Sequence, residues 1–245
     1  MLFNSLQFLV FFPIVLALYF LIKPKYRWIL LLLSSYYFYM CWNYKYIVLI
    51  IFSTIVDYAA GIFMGKTNNK RKKKLLLILS LFSNLGLLFF FKYFNFFSDN
   101  INLFFEKFNI FSEMPTYNLL LPVGISFYTF QTLSYTIDVY KGRKEPEKHF
   151  GIFALYVSFF PQLVAGPIER SERLLPQFHQ KHEFNYARIR DGLVLMVWGF
   201  FKKVVIADRL AEYVNLVYNN VDNFEGFQNV LATIFFSFQI YCAFS

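Results

Sequence analysis

Polar side chains inside the apolar runs of this chain are few, and chemistry would have to start from them. Asp57 interrupts the run Tyr46–Gly65. An unpaired aspartate at the centre of a bilayer costs about 2.5–3.5 kcal/mol on translocon scales, so this carboxylate is expected to face other helices. Two readings stand open: a cavity residue, or a structural carboxylate paired to a lysine or tyrosine. Gln131 and Asp138 stand seven residues apart in a later run, with Thr129, Ser134 and Thr136 between or beside them. That spacing places both on one helical face. Such a stripe is either glue between helices or the wall of a watery path.

The stretch from Phe159 to Arg170 holds the most unusual backbone chemistry. Pro161 and Pro167 lie six residues apart near the end of the uncharged run Phe150–Ile168, with Gln162 and Gly166 between them and Glu169-Arg170 directly after. Each proline removes a helical hydrogen bond. Backbone groups freed at bilayer depth must find protein or water, because lipid offers no partner. The histidines point nowhere comparable: His149 follows a basic loop, and His179 and His182 sit in a charged segment without a carboxylate or thiolate cluster for a metal. No Walker loop, nucleophile elbow or HExxH is present.

The elements that must position these residues are membrane helices. The 245 residues are 58% hydrophobic and 16% charged, where soluble domains carry about 25% charged residues. A net charge of +9 would suit nucleic acid, but six of the 24 bases fall in the single loop Lys66–Lys74 beside apolar runs. Retention of positive loops in the cytoplasm explains that pattern, and nucleic acid is not expected. Two cysteines, Cys41 and Cys242, form no disulfide framework or metal spacing. The expected fold class is all-α, a polytopic transmembrane helical bundle, read as a single membrane domain over 1–245.

Expected spans are Leu2–Ile22 with Pro13 inside it, Trp28–Tyr44, Tyr46–Gly65, Leu75–Phe91 and Tyr117–Tyr140. The basic loops alternate so that the N-terminus lies outside and the loop 66–74 is cytoplasmic. Between spans four and five, Phe97, Ile101, Phe104, Phe105 and Phe108 fall at helical spacing. This predicts an amphipathic helix over 94–111, either in the outer interface or packed on the bundle. A simple crossing by Phe150–Ile168 would put a loop of five bases and four acids outside. A re-entrant segment over 159–168, turning near Pro161–Pro167, removes that conflict. Gly192–Phe201 is uncharged for about half a bilayer, with Lys202 and Lys203 snorkelling. A weakly polar connector, Ala211–Gln228, leads to the last run, Phe227–Ser245. A chain ending in an apolar run is expected to be C-terminally incomplete.

Several motifs in order resemble the membrane-bound O-acyltransferase (MBOAT) family, in its alginate O-acetyltransferase-like branch. They are Met1-Leu2-Phe3-Asn4-Ser5 with Phe8, Leu121-Pro122-Val123-Gly124-Ile125-Ser126-Phe127, Asp138-Val139-Tyr140-Lys141-Gly142, Phe159 to Arg170, and Gly199-Phe200-Phe201-Lys202-Lys203. Relatives of that branch include the membrane subunit that D-alanylates teichoic acids.

The resemblance implies two facing funnels joined by a tunnel through a thin partition. An acyl thioester donor, acetyl-CoA or an acyl-carrier type, would approach from the cytoplasm and a hydroxyl acceptor from outside. It implies a multi-pass protein of a bacterial plasma membrane, working with the lipid bilayer, a missing C-terminal half and extracytoplasmic acyl-transfer partner proteins. The family's histidine, a general base or acyl relay, belongs to that C-terminal half. No residue here matches it, so no catalytic residue and no metal ligand is assigned. By their place in matching motifs, Ser126, Gln131, Asp138, Gln162 and Arg170 are the candidates for lining the funnel, against the plainer roles of packing and topology. The expected function is the N-terminal part of a membrane O-acyltransferase acting on an extracytoplasmic polysaccharide or cell-wall polymer. The alternatives are a transporter or channel with a re-entrant loop, which a broken helix alone would also fit, and a non-catalytic membrane scaffold.

Overall fold

A computed structural model describes residues 1, 3–108, 115–117, 121–163, 166 and 169–244. Every regular element among them is helical. Contacts divide the chain into two compact units, Phe12–His182 with Met1, and Leu2–Phe11 with Glu183–Ser245.

In the first unit, α1 (Leu6–Leu21) passes through Pro13 and contributes from Phe12 onwards, and α2 (Arg27–Met40) follows a single 3-10 turn. These two are shorter than the apolar runs suggest. At 1.5 Å per residue they reach only about 24 and 21 Å. Next come α3 (Ile47–Lys66) and α4 (Lys70–Lys92), each long and apolar enough to cross a membrane. Asn69 starts α4 by accepting hydrogen bonds from the backbone N–H groups of Arg71 and Lys72, so the basic cluster forms the helix's own first turn rather than a free loop.

The packing of α4 is inverted relative to a helix in water. Ser80, Asn84 and Leu88, spaced by four, are buried, whereas Leu75, Leu79 and Phe82 stand exposed, Phe82 at 79%. Polar-in and apolar-out is favourable only where the surroundings are hydrocarbon. Chain α5 (Phe94–Lys107) shares the expected amphipathic stretch. Ser98 is its buried point, Ile101 and Phe105 are half-buried, and Phe97, Phe104 and Phe108 face outwards. The remainder of 94–111, residues 109–111, lies outside the described residues.

The expected fifth span starts late. Helix α6 (Ile125–Tyr140) begins only after Gly124, which takes a left-handed φ of 77° that a side chain would resist. Then α7 (Phe150–Ser158) ends after nine residues, about 13 Å and less than half a bilayer. A four-residue turn, α8 (Phe160–Leu163), and α9 (Ser171–His179) complete the unit. Helix α7 lies so close to α2 that a Cβ on Gly151 would run into the Trp28 ring. The core gathers Tyr39, Tyr128, Tyr135, Phe153, Tyr156 and Leu175 among its buried side chains.

In the second unit, α10 (Tyr186–Phe200) runs without a break through a π-helical segment (Phe201–Ala207) into α11 (Asp208–Tyr218). Gly192–Phe201, expected as a partial span or a tilted helix, is part of this longer helix, and the reading of Ala211–Gln228 as a connector is corrected here. Val214 and Val217 are buried on α11, which packs against α12 (Gly226–Phe244), and only the short stretch between them is a link. Helix α12 is the third element long and apolar enough to span.

Candidate functional site

Pro161 accompanies a helix break whose flanking groups the fold binds with three side chains. Pro161 has no N–H to return to Val157 O, and α7 stops at Ser158. The carbonyl of Tyr156, which Phe160 N would meet in a continued helix, accepts from two glutamine amides, Gln131 Nε2 at 2.7 Å and Gln162 Nε2 at 3.0 Å. On the other side of the break, Phe160 N donates to Ser35 Oγ of α2 at 3.2 Å. The chain resumes as a tight turn, with Leu163 N on Phe159 O and Gly166 N on Gln162 O. All of Gln131, Tyr156, Phe160, Gln162 and Ser35 are buried. At the break, Tyr156 O and Phe160 N are thus both bound inside protein, as a membrane interior requires.

Tyr156 is the meeting point of this arrangement. Its hydroxyl lies 3.2 Å from Glu169 O and 3.4 Å from Gln131 O, so the ring ties α6, α7 and the start of the α9 segment together. Of the five funnel candidates, Gln131 and Gln162 thus converge on one atom. Asp138 is on the same helix as Gln131, two turns on, half-buried and 4.0 Å from the Arg143 guanidinium. Arg170 is exposed and precedes α9 as its N-cap, next in sequence to Glu169. Ser126 is half-buried in the first turn of α6 and is not brought to the glutamines. Val164, Ala165, Pro167 and Ile168, which belong to the re-entrant expectation, lie outside the described residues.

Beneath the loop 141–149, Lys144 donates to Ser171 O. Burial pushes its ammonium below the ordinary lysine value, opposed by Glu147, Glu172 and Asp138 nearby. Glu147 also receives His149 N at 2.9 Å and lies 3.0 Å from His179 Nε2. His182 Nε2 sits 3.1 Å from Gln177 O, so the two histidines of the sequence HxxH pair are held by different groups.

Among the described residues no lysine or tyrosine hydrogen-bonds to Asp57. Its carboxylate accepts from Ser80 Oγ at 2.5 Å, from Asn84 Nδ2 at 3.0 Å and from Thr136 Oγ1 at 3.3 Å, while Ser53 donates to Asn84 Oδ1. This buried set joins α3, α4 and α6 through hydroxyls and an amide. Sequence reasoning named Thr136 in the polar stripe but did not find Ser35, Tyr156, Ser53, Ser80 or Asn84. It also did not find the buried hydroxyls of Tyr39 and Tyr128, which have no hydrogen-bond partner among the described residues. Only Ser35, one of two adjacent serines inside an apolar helix, carried a signal that could have been used.

None of these groups forms a nucleophile–base pair. The glutamines, Ser35 and Tyr156 hold backbone in place, and Asp57 holds helices together. What they define is a helical membrane protein with a broken, internally stitched helix in its first unit and, among the described residues, three helices long and apolar enough to span.

No family model matches the chain. Over its whole length, however, it is homologous to membrane O-acetyltransferases. The peptidoglycan O-acetyltransferase of Helicobacter pylori is 35% identical over 277 aligned residues, covering 100% of this chain and 52% of the relative. The proteins named probable alginate O-acetylase AlgI of Pseudomonas aeruginosa and of Pseudomonas syringae pv. tomato are each 39% identical over 214 residues, 86% of this chain and 41% of theirs. The chain spans about half the length of the curated relatives it matches.

Proposed function

We propose that this chain is the N-terminal part of a membrane O-acyltransferase that moves an acyl group, acetyl in particular, from a cytoplasmic thioester donor towards hydroxyls of an extracytoplasmic polysaccharide or cell-wall polymer. The observation that carries the reading is homology along the whole chain to relatives named for O-acetylation of alginate and peptidoglycan. In the reaction, a hydroxyl oxygen attacks the thioester carbonyl, the C–S bond breaks, and the hydroxyl proton passes to a general base. That base is not assigned to His149, His179 or His182, which cap α7, face Glu147 and face Gln177 O respectively.

The role of the described residues is positional. Gln131, Gln162 and Ser35 hold the broken helix in a conformation that lets a tunnel wall pass through the membrane without exposed backbone, and the segment 159–168 turns back at that point. Asp138 and Arg170 sit at the ends of elements leading into it, where a charged donor would arrive. The N-terminus lies outside the plasma membrane of a bacterium, the basic stretch 66–74 in the cytoplasm, and α5 in the outer interface. Extracytoplasmic partner proteins would complete delivery to the polymer.

The test compares the complete reading frame containing this chain with residues 1–245 alone, each expressed in a host whose polymer lacks O-acetyl esters. Alkali-released acetate from purified polymer is the readout. The expected result is restoration by the complete frame and none by residues 1–245. A complete frame that adds no histidine beyond residue 245, or that moves solute into proteoliposomes without forming esters, overturns the reading.

A further inference from the structure

The first unit contains a slot of about 270 Å³ whose chemistry is split between its ends. Its body is formed by Val15 and Leu16 of α1, Leu31 of α2, Phe160 and Pro161 at the helix break, and Phe178 of α9. By volume it would take about nine waters, but a buried water needs two to four polar partners and most of the lining is apolar, Tyr19, Arg27, Gln177, Gln180 and His182 being its polar side chains. Hydrocarbon is the matching content.

The polar end is cationic. Arg27 opens α2, lies over the Tyr19 ring at 4.7 Å, and donates through Nε to Ile22 O at 3.2 Å and through Nη1 to His182 O at 2.5 Å. Both acceptors are neutral carbonyls. Among the described residues no carboxylate pairs with Arg27, and α2 has no acid in its first turn to offset the positive end of the helix. A guanidinium has five N–H donors, so several stay available in the fork that fits a phosphate. Lys23 and Lys25, both exposed, add charge to the same stretch.

We propose that this slot holds one acyl chain of an anionic phospholipid, with the lipid phosphate on Arg27. The inference does not rest on the acyl-transfer reading. A zwitterionic head would bring its ammonium towards Arg27, Lys23 and Lys25, and a soluble anion would gain nothing from the apolar body. An occupied slot would press hydrocarbon against Phe160 and Pro161, so lipid and the broken helix would share a wall.

The experiment places the protein in nanodiscs containing a trace of diazirine-acyl phosphatidylglycerol or, separately, diazirine-acyl phosphatidylcholine of the same chain. After photolysis, labelled peptides are located by mass spectrometry. Residues 12–31 and 159–178 are expected to take roughly fivefold more label from the anionic lipid, the preference one basic side chain near the membrane surface supplies. The excess should vanish in Arg27→Gln and return in Arg27→Lys. In the unaltered protein, unlabelled phosphatidylglycerol should displace it and millimolar inorganic phosphate should not, which decides the matter even if a variant fails to fold. Equal labelling by the two lipids, displacement by inorganic phosphate, or an excess that survives Arg27→Gln in a folded variant overturns the proposal, as does labelling of the slot blocked in the complete reading frame.

Discussion

Two glutamines on one carbonyl should behave as partial substitutes for each other. Gln131→Leu leaves Gln162 on Tyr156 O, and Gln162→Leu leaves Gln131 there. Each single change should cost about 0.6 kcal/mol, the average for a side-chain hydrogen bond inside a membrane protein. The double variant strips both side-chain donors from a buried carbonyl, and an unpaired buried group costs about 1–3 kcal/mol. The pair should therefore lose up to about 2 kcal/mol more than the sum of the singles, a factor of up to about 30 in the unfolding constant. The assay is reversible unfolding of the purified protein in mixed micelles titrated with SDS, for the two singles and the double. Gln131 also offers its backbone oxygen to the Tyr156 hydroxyl, a contact that leucine keeps, so the cycle isolates the amides. Effects that add to within about 0.5 kcal/mol, the usual limit for independent sites, would refute the shared-carbonyl account.

Other outcomes follow from the same geometry. Asp57→Leu removes the acceptor of Ser80 and should destabilise by about 1–3 kcal/mol, while adding the triple Ser53→Ala, Ser80→Ala, Asn84→Leu to it should regain most of that, since Thr136 still has Thr132 O. A combined variant less stable than the single in the same SDS titration would show that the network supports something beyond itself. Gly151→Val drives a side chain into the Trp28 ring and should cost about 1–3 kcal/mol, with Trp28→Leu relieving it in thermal melts of the detergent-solubilised protein. For topology, Asn68→Cys in a background lacking Cys41 and Cys242 should resist a membrane-impermeant maleimide in intact cells and react once the membrane is opened. Labelling in intact cells would reverse the assignment of 66–74 to the cytoplasm.

How much was legible depended on whether the physics was local. Helices α3 and α4 could be read because a long apolar run with bases at one end leaves few alternatives. The disruption at Pro161 was legible for a similar reason: a missing N–H is a property of one residue. Its remedy was not, because Ser35 lies 125 positions from Phe160 and nothing in a lone serine names its partner. Gln131 and Gln162, chosen with Ser126 and Arg170 for their place in motifs, do come together, whereas Ser126 and Arg170 do not join them. Asp57 was expected inside, but with a lysine or tyrosine. Hydroxyls and an amide, each unremarkable in sequence, supply what one ion pair would have. Helix α11 was missed because its composition is mixed and its apolar contacts, Val214 and Val217, become a pattern only against α12.

The bond from Phe160 N to Ser35 Oγ also sets an order of events during synthesis. At about 5–20 residues per second, Ser35 leaves the ribosome roughly 6–25 seconds before the residue it will serve. For that interval α2 carries an inward-facing hydroxyl that already has Leu31 O as an acceptor 2.7 Å away, so it can wait in lipid without an unmet donor. Gln131, made 25 positions before Tyr156, waits a shorter time, and Gln162 follows only six positions after it. The break can thus close almost as soon as it emerges, on Ser35 and Gln131 laid down earlier and on Gln162 made directly after it.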